Sequence, residues 1–194
     1  ESDLATNASA SFANVFTVNY GADGAGSTAY ALNVVNAASG LIDTATGQAV
    51  TMSVVNGQIV GTAGGNTVFT ISVSASGVVT LDQVRAVQHA DGNNANDTVT
   101  LAANSISLTA TATDKDGDKA SQTVNLGAGF VFTDDAPTVT ASGTAAATLT
   151  VDESDLATNA SASFANVFTV NYGADGAGST AYKLAVVNAA TGLV

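Results

Sequence analysis

Asp114, Asp116 and Asp118 occupy alternate positions in ATDKDGDKAS (Ala112–Ser121), and Gly117 supplies a bend between the last two. Carboxylates held this close repel one another, by about 1 kcal/mol per pair near 4 Å in water and by more where solvent is excluded. Hard oxygen donors on alternate residues around a glycine suit Ca2+, which takes roughly 6–8 oxygens at about 2.3–2.6 Å. Two readings are open: a calcium-binding turn, or a solvated acidic turn partly neutralised by Lys115 and Lys119. The turn is not an EF-hand, because that loop ends on a bidentate Glu at its twelfth position and the twelfth residue from Asp114 is Asn125. Three carboxylates leave a calcium shell incomplete, so further ligands have to come from elsewhere. Asp134 and Asp135 stand just before the lone proline, Pro137, and Asp152, Glu153 and Asp155 follow it at the head of a repeated block. Acids on both sides of one seam favour the calcium reading.

Two other stretches carry candidate groups. HADGNNANDT (His89–Thr98) offers Asp91, Asn93 and Asp97 as oxygen donors, although Asn and Gly are also ordinary loop residues and a plain loop is the simpler account. NYGADGAGST (Asn19–Thr28) has phosphate-loop glycine spacing without the lysine, so it reads as a hairpin loop with Asp23 a weaker calcium candidate. His89 is the only histidine and there is no cysteine. A Ser–His–Asp triad would depend on that one imidazole, and no nucleophile-elbow motif accompanies it, so enzyme activity is not expected.

The elements that must position these acids read as strands. In SISLTATAT (Ser105–Thr113) the residues Ile106, Leu108, Ala110 and Ala112 fall on one face, with Ser and Thr on the other, which is the period of a half-buried strand. The same reading applies to 15–20, 30–35, 49–55, 58–62, 67–73, 78–81, 121–126, 130–132 and 148–151. Asn56-Gly57 between two apolar runs is a strong hairpin signal, because both residues tolerate positive φ. Ser39-Gly40, Gly64-Gly65 and Ser76-Gly77 mark further turns, and only LDQVRAVQH (Leu81–His89) suggests a short helical crossover. Many short antiparallel strands with regular turns predict an all-β, immunoglobulin-like antiparallel β-sandwich.

The sandwich is a repeat unit. Residues 1–42 return as 153–194 at a fixed offset of 152, with four differences: Ala31 against Lys183, Asn33 against Ala185, Ser39 against Thr191 and Ile42 against Val194. That period is far above the roughly 20–50 residues of solenoid repeats, so each unit is domain-sized. FTDDAPTVTASG (Phe132–Gly143) marks the boundary, since proline disfavours helix before it and cannot donate to a sheet. The expected division is a sandwich over 1–135, cut at its N-terminal side, and a linker with the start of the next 152-residue unit over 136–194. The alternative is that this second piece is a small β subdomain, each period then being two smaller β modules. A unit that begins near Pro137 leaves 1–135 without its own first strand, and a sheet edge exposed by such a cut through the repeat would pair artificially.

Composition narrows the function classes. Sixteen acids against four bases give a net charge of −12, which argues against nucleic acid as a partner. Compact folding at that charge is costly unless cations neutralise part of it. With no cysteine, disulfides cannot stiffen the chain, and no apolar run approaches the roughly 18 residues of a membrane span.

The near-identical tandem units carrying VDESDL, YGADGAGSTAY, GLIDTATGQ, VTLDQVRAVQHAD, LTATATDKDGD and FTDDAPTV resemble the long repeats of giant bacterial repeats-in-toxin (RTX) surface adhesins. The likeness covers essentially the whole chain, and the TATDKDGD and DDAPTV pair is its most specific part. It implies export by type I secretion, tethering at the outer membrane, and a role in attachment and biofilm formation. It also implies immunoglobulin-like sandwiches rigidified by Ca2+ at and between domains, with Asp114, Asp116, Asp118, Asp134 and Asp135 as ligands. The glycine-rich nonapeptide of the RTX β-roll is absent. The leading expectation is a calcium-stabilised extender whose partners are neighbouring repeats of the same chain, monomeric and elongated. The alternative is an adhesin module that itself binds a ligand such as a surface polysaccharide. With no Trp, and with the Tyr residues inside strand-like runs, the sequence offers little for a sugar site.

Overall fold

The structure, a computed structural model, describes Glu1 and residues 3–190. Strands follow one another along the chain as β1 (Ala8–Ser11), β2 (Ala25–Val34), β3 (Ala38–Ile42), β4 (Ala49–Val55), β5 (Gln58–Ala63), β6 (Asn66–Val73), β7 (Val78–Gln83), β8 (Thr98–Thr100), β9 (Ile106–Asp114), β10 (Lys119–Asn125), β11 (Val131–Thr133), β12 (Thr138–Ala141) and β13 (Phe168–Asn171). Helix is confined, among the described residues, to single 3-10 turns, and no helix is long and apolar enough to cross a membrane.

Alternation of burial along each strand assembles the two layers. In β4 Val50 and Met52 point inward between exposed neighbours, and in β5 Ile59, Gly61 and Ala63 do the same. One layer is a six-stranded antiparallel sheet in the order β1-β7-β6-β5-β4-β3, and the other is β10-β9-β2. β2 crosses over β4, β5 and β6, so Leu32, Ile106 and Leu108 of the smaller sheet share one core with Met52, Ile59, Phe69, Ile71 and Val79 of the larger. Each fully buried Leu, Ile or Phe contributes about 1.5–3 kcal/mol. Phe69 packs its ring on Phe132 at 5.6 Å, and Gly61 is bare where a Cβ would enter the Phe69 ring. The fold is the all-β sandwich that the alternation predicts.

Four local expectations need correction. Leu81–His89 makes no helix: β7 runs on to Gln83, Val87 forms an isolated bridge with Asp43, and Arg85 turns back onto that same aspartate. Ser39-Gly40 is not a turn but lies inside β3, where Gly40 at φ 83° accommodates an irregularity in the pairing with β4. The 148–151 run is exposed and makes no strand, since nothing pairs with it among the described residues. The 15–20 run is a strand only in its second copy. There Phe168–Asn171 pairs with β12 in the register Thr138↔Asn171 to Ala141↔Phe168, while Phe16–Asn19 forms no strand with the described residues. By contrast, Asn56 and Gly57 close the β4–β5 hairpin at φ 51° and 80°, as their identities require.

Candidate metal centre

The hairpin between β9 and β10 carries the alternate aspartates. Asp114 accepts hydrogen bonds at one carboxylate oxygen from the main-chain N–H groups of Gly117 (3.0 Å) and Asp118 (2.8 Å), which closes the turn around Gly117 at φ 105°. A hydrogen bond with the Asp116 side chain, followed by those main-chain donors, lowers its pKa. Asp23, from the loop before β2, completes a group in which carboxylate oxygens of Asp23, Asp114 and Asp116 lie within 4.8 Å of one another. The approach is possible because Ala25 pairs with Asp114, and because Gly26 is bare where a Cβ would strike the carbonyls of Thr113 and Asp114. Asp118 contributes its main chain to the turn and stays outside this group.

A second group forms where the seam meets the next repeat copy. Oxygens of Glu1, Asp134, Asp135 and Asp175 lie within 4.8 Å of one another, and Glu1, His89 and Asp134 form an overlapping set. Linker and loop are held by named contacts. Asp134 donates its N–H to the Asp97 carbonyl (2.8 Å), and one Asp134 carboxylate oxygen accepts from the Asp135 N–H (2.9 Å). Asp135 Oδ2 then accepts from the Ala174 N–H at 3.1 Å. Gly173, at φ 75°, packs so closely on the Asp135 carboxylate that any Cβ would overlap it. An open cavity of about 590 Å3 adjoins, lined by Glu1, Asp134, Asp135 and Gly173 among others.

Glu1 makes this group unlike an ordinary acidic surface. Its side chain is wholly buried, and Oε1 accepts from the Val87 N–H (2.8 Å) and Gln83 Nε2 (2.9 Å), with His89 Nε2 at 3.4 Å. Oε2 has no partner, nor do Asp135 Oδ1 and both ring nitrogens of His89, all of them buried. Burial pushes the Glu1 carboxyl up, against the lowering pull of the Val87 and Gln83 hydrogen bonds. Buried polar atoms are nearly always satisfied, and a concentration of orphans is unfavourable without a counter-charge. Carboxylate oxygens predominate, a donor set that fits a hard cation such as Ca2+. Glu1, Asp134, Asp135 and Asp175 are the residues that would hold it, and Asp23, Asp114 and Asp116 would hold a second.

The remaining candidates are occupied locally. Asp97 accepts from the N–H groups of Ala90, Asp91 and Thr98, and the Asp91 N–H does most to hold its carboxyl below the usual range. Asp91 accepts from the Asn93 N–H at 3.1 Å, and Asp91 joins none of the acidic groups among the described residues. Asp152 is taken up by Ser154 and Asp155 by Ala157 and Thr158, all exposed, with the hydroxyl contacts lowering both pKa values. Glu153 is exposed, although its repeat counterpart Glu1 is buried. The sequence reading missed Glu1, His89 and Asp175. The repeat offset held the signal for two of them, since Glu1 is the counterpart of Glu153 and Asp175 of Asp23. It also placed the Asp114–Asp118 turn and the linker acids around one ion, whereas within this chain they stand in separate groups.

The chain is thus an all-β repeat protein with two clusters of carboxylates, one of them spanning successive repeat copies. It belongs to the family described as Domain of unknown function (DUF5801), whose pattern matches residues 1–127 and 148–194. No curated protein and no solved structure matches it.

Proposed function

We propose that this chain is a calcium-stabilised structural extender repeat of a bacterial cell-surface adhesin, secreted and displayed at the outer membrane, whose units project a distal binding module for attachment and biofilm formation. The observation that carries the reading is the buried Glu1 carboxylate, with its orphaned Oε2, facing Asp134, Asp135 and Asp175 across the boundary between repeat copies. Bound calcium would neutralise those charges and satisfy those oxygens. The chain's own residues prepare the joint: Asp135 fastens the Gly173–Ala174 loop, and Asp97 fastens Asp134.

Repeat equivalence extends the joint further. Asp23 and Asp175 hold the same position in the repeat, yet the first meets Asp114 and Asp116 while the second meets Glu1, Asp134 and Asp135. In consecutive complete units both sets would converge on that one aspartate. The DxDGD turn of each unit would then face the linker acids of the unit before it. A spacer gains reach by copy number, whereas a receptor needs one or a few copies, so faithful repetition favours the extender.

Calcium titration calorimetry beside small-angle scattering on the whole chain tests this, with Asp135→Ala against wild type and Asp118→Ala as control. Asp135→Ala is expected to bind calcium at least about tenfold more weakly at the joint, a loss of roughly 1.4 kcal/mol, and to be less extended, while Asp118→Ala follows wild type. Identical isotherms and profiles for wild type and Asp135→Ala overturn the calcium joint. Reproducible binding on a glycan array in calcium would overturn the pure spacer.

A further inference from the structure

His89 is the only histidine of the chain, and the calcium joint makes no use of its imidazole. The main chain is fixed on either side of it. Gln88 donates its N–H to the Ile42 carbonyl (2.8 Å), next to the Asp43–Val87 bridge, and Ala90 donates to the Asp97 carboxylate (3.0 Å). Asp97 also receives the Asp134 N–H at its carbonyl (2.8 Å), so one loop sets the imidazole and a linker carboxylate side by side. Glu1 joins them, oriented through Oε1 by the Val87 N–H and Gln83 Nε2.

The His89 side chain is only 3% exposed, and neither Nδ1 nor Nε2 makes a hydrogen bond. Two polar nitrogens buried without partners are unfavourable unless something ligates them. Nε2 stands 3.4 Å from Glu1 Oε1, beyond the usual N–H···O range of about 2.7–3.2 Å. Ligand atoms of Glu1, His89 and Asp134 lie within 4.8 Å of one another. Neighbouring ligands of a tetrahedral ion bonded at about 2.0–2.2 Å are roughly 3.3–3.6 Å apart, so donors at this spacing can close on one small ion. Calcium and magnesium take oxygen, whereas an imidazole nitrogen beside carboxylates suits zinc.

We propose that Glu1, His89 and Asp134 form a zinc site at the joint, with the imidazole and the orphaned Glu1 Oε2 among its ligands and water in the fourth position. The hydrogen bonds that Val87 and Gln83 make to Glu1 Oε1 then serve as the outer contacts that orient a ligating carboxylate. Glu1 and Asp134 also belong to the calcium group, whereas Asp135 and Asp175 belong to that group alone. Zinc and calcium therefore compete for the joint, and the imidazole sets the preference between them. The site stands on the buried nitrogen and does not require the calcium reading.

The test uses the whole chain without a tag, zinc chloride in calcium-free buffer, and His89→Gln. Titration calorimetry should show saturable zinc binding, roughly tenfold or more weaker in His89→Gln, with the calcium isotherm unchanged by the substitution. Proton NMR supplies a second measurement on the wild type, so a folding defect in the variant cannot mask the result. All imidazole C–H signals belong to His89, and saturating zinc should move them while magnesium leaves them in place. Equal zinc isotherms for the two proteins, or unmoved imidazole signals, overturn the site and leave His89 a counter-charge to Glu1. Loss of calcium and zinc affinity by the same factor in His89→Gln also overturns it, since the imidazole would then be a structural prop. Zinc binding that persists where calcium fails supports this site and removes only the calcium reading.

Discussion

Arg85 grips Asp43 through two parallel contacts, Nε to Oδ1 at 2.9 Å and Nη2 to Oδ2 at 3.0 Å, while the Asp43 side chain is wholly buried. Thr46 adds its N–H (3.0 Å) and hydroxyl (2.6 Å) to the same carboxylate. The Asp43–Val87 bridge lies alongside, so this pair fastens the chain leaving β7 to the end of β3. It is the structural use of GLIDTATGQ and of the stretch the sequence suggests as a helix. A bidentate guanidinium–carboxylate contact is among the stronger polar interactions.

Removing one partner strands a buried charge, which costs more than the pair contributes. Arg85→Ala is therefore expected to lower Tm by several degrees at neutral pH. Arg85 first, and Thr46 after it, hold the Asp43 carboxyl below its usual range. Its share of stability is accordingly present above about pH 4 and lost as pH falls through the lowered folded value. In Arg85→Ala the carboxylate lacks that counter-charge, so protonation relieves the variant and the gap to wild type narrows toward about pH 3. Circular-dichroism melts at the two pH values check this, and a gap that is constant with pH would contradict it.

Calcium should raise the melting temperature. A ligand bound only by the folded state adds RT ln(1 + [L]/Kd), about 2.7 kcal/mol at one hundred times Kd. Extracellular calcium modules bind at about 10⁻⁴–10⁻³ M. A site of that affinity gains about 0.4–1.4 kcal/mol in 1 mM calcium and up to about 2.7 kcal/mol in 10 mM, and Tm is expected to rise by a few degrees across that range. Magnesium should do less, because it demands a smaller octahedral shell and keeps its waters. Scanning calorimetry in calcium, magnesium and chelator decides; coincident curves would remove metal from the account.

The repeat provides its own control for the joint. Gly21 and Gly173 are counterparts with the same φ of 75°, but only Gly173 abuts Asp135. An alanine at either site carries the same left-handed backbone penalty, about 1–2 kcal/mol. Gly173→Ala alone should displace the Asp135 carboxylate, weakening calcium binding at the joint, while Gly21→Ala leaves that binding as in wild type. Equal calcium isotherms for the two variants would show that the close approach is incidental.

Inside the sandwich, Gly61→Ala drives a methyl into the Phe69 ring, which is fully buried and in contact with Phe132. Overpacking of this kind costs about 1–3 kcal/mol. Urea unfolding should show a lower midpoint with an unchanged slope, and a midpoint at the wild-type value would mean that Phe69 has room to turn aside.

The sequence was most legible where a strand's own residues decide its fate. β4, β5 and β6 alternate clearly and are punctuated by Asn56-Gly57 and Gly64-Gly65, and they run as expected to within a residue. β1 and β3 were not visible, because Ala and Ser dominate Ala8–Ser11 and the apolar members of Ala38–Ile42 come late, so alternation carries little contrast. Phe168–Asn171 is a strand because Thr138–Ala141 lies beside it, a pairing that no window on those four residues can register. The acids behave alike. Asp114, Asp116, Asp134 and Asp135 stand out by local spacing, but Glu1 joins them through Gln83 and Val87, more than eighty positions away.

The sharing of one aspartate position between two carboxylate groups bears on how the array grows. In the proposed array each joint would be completed by parts of two adjoining units, and units bearing the same parts would leave no novel junction where a copy is inserted or deleted. Unequal recombination at any point within the 152-residue period would then restore a working boundary, whether or not the crossover falls near Pro137. Length becomes a variable that selection can adjust in whole steps. Surveying alleles of different copy number would show it: the acids at the joints should be invariant however many units intervene, and length variants with altered joints would deny it.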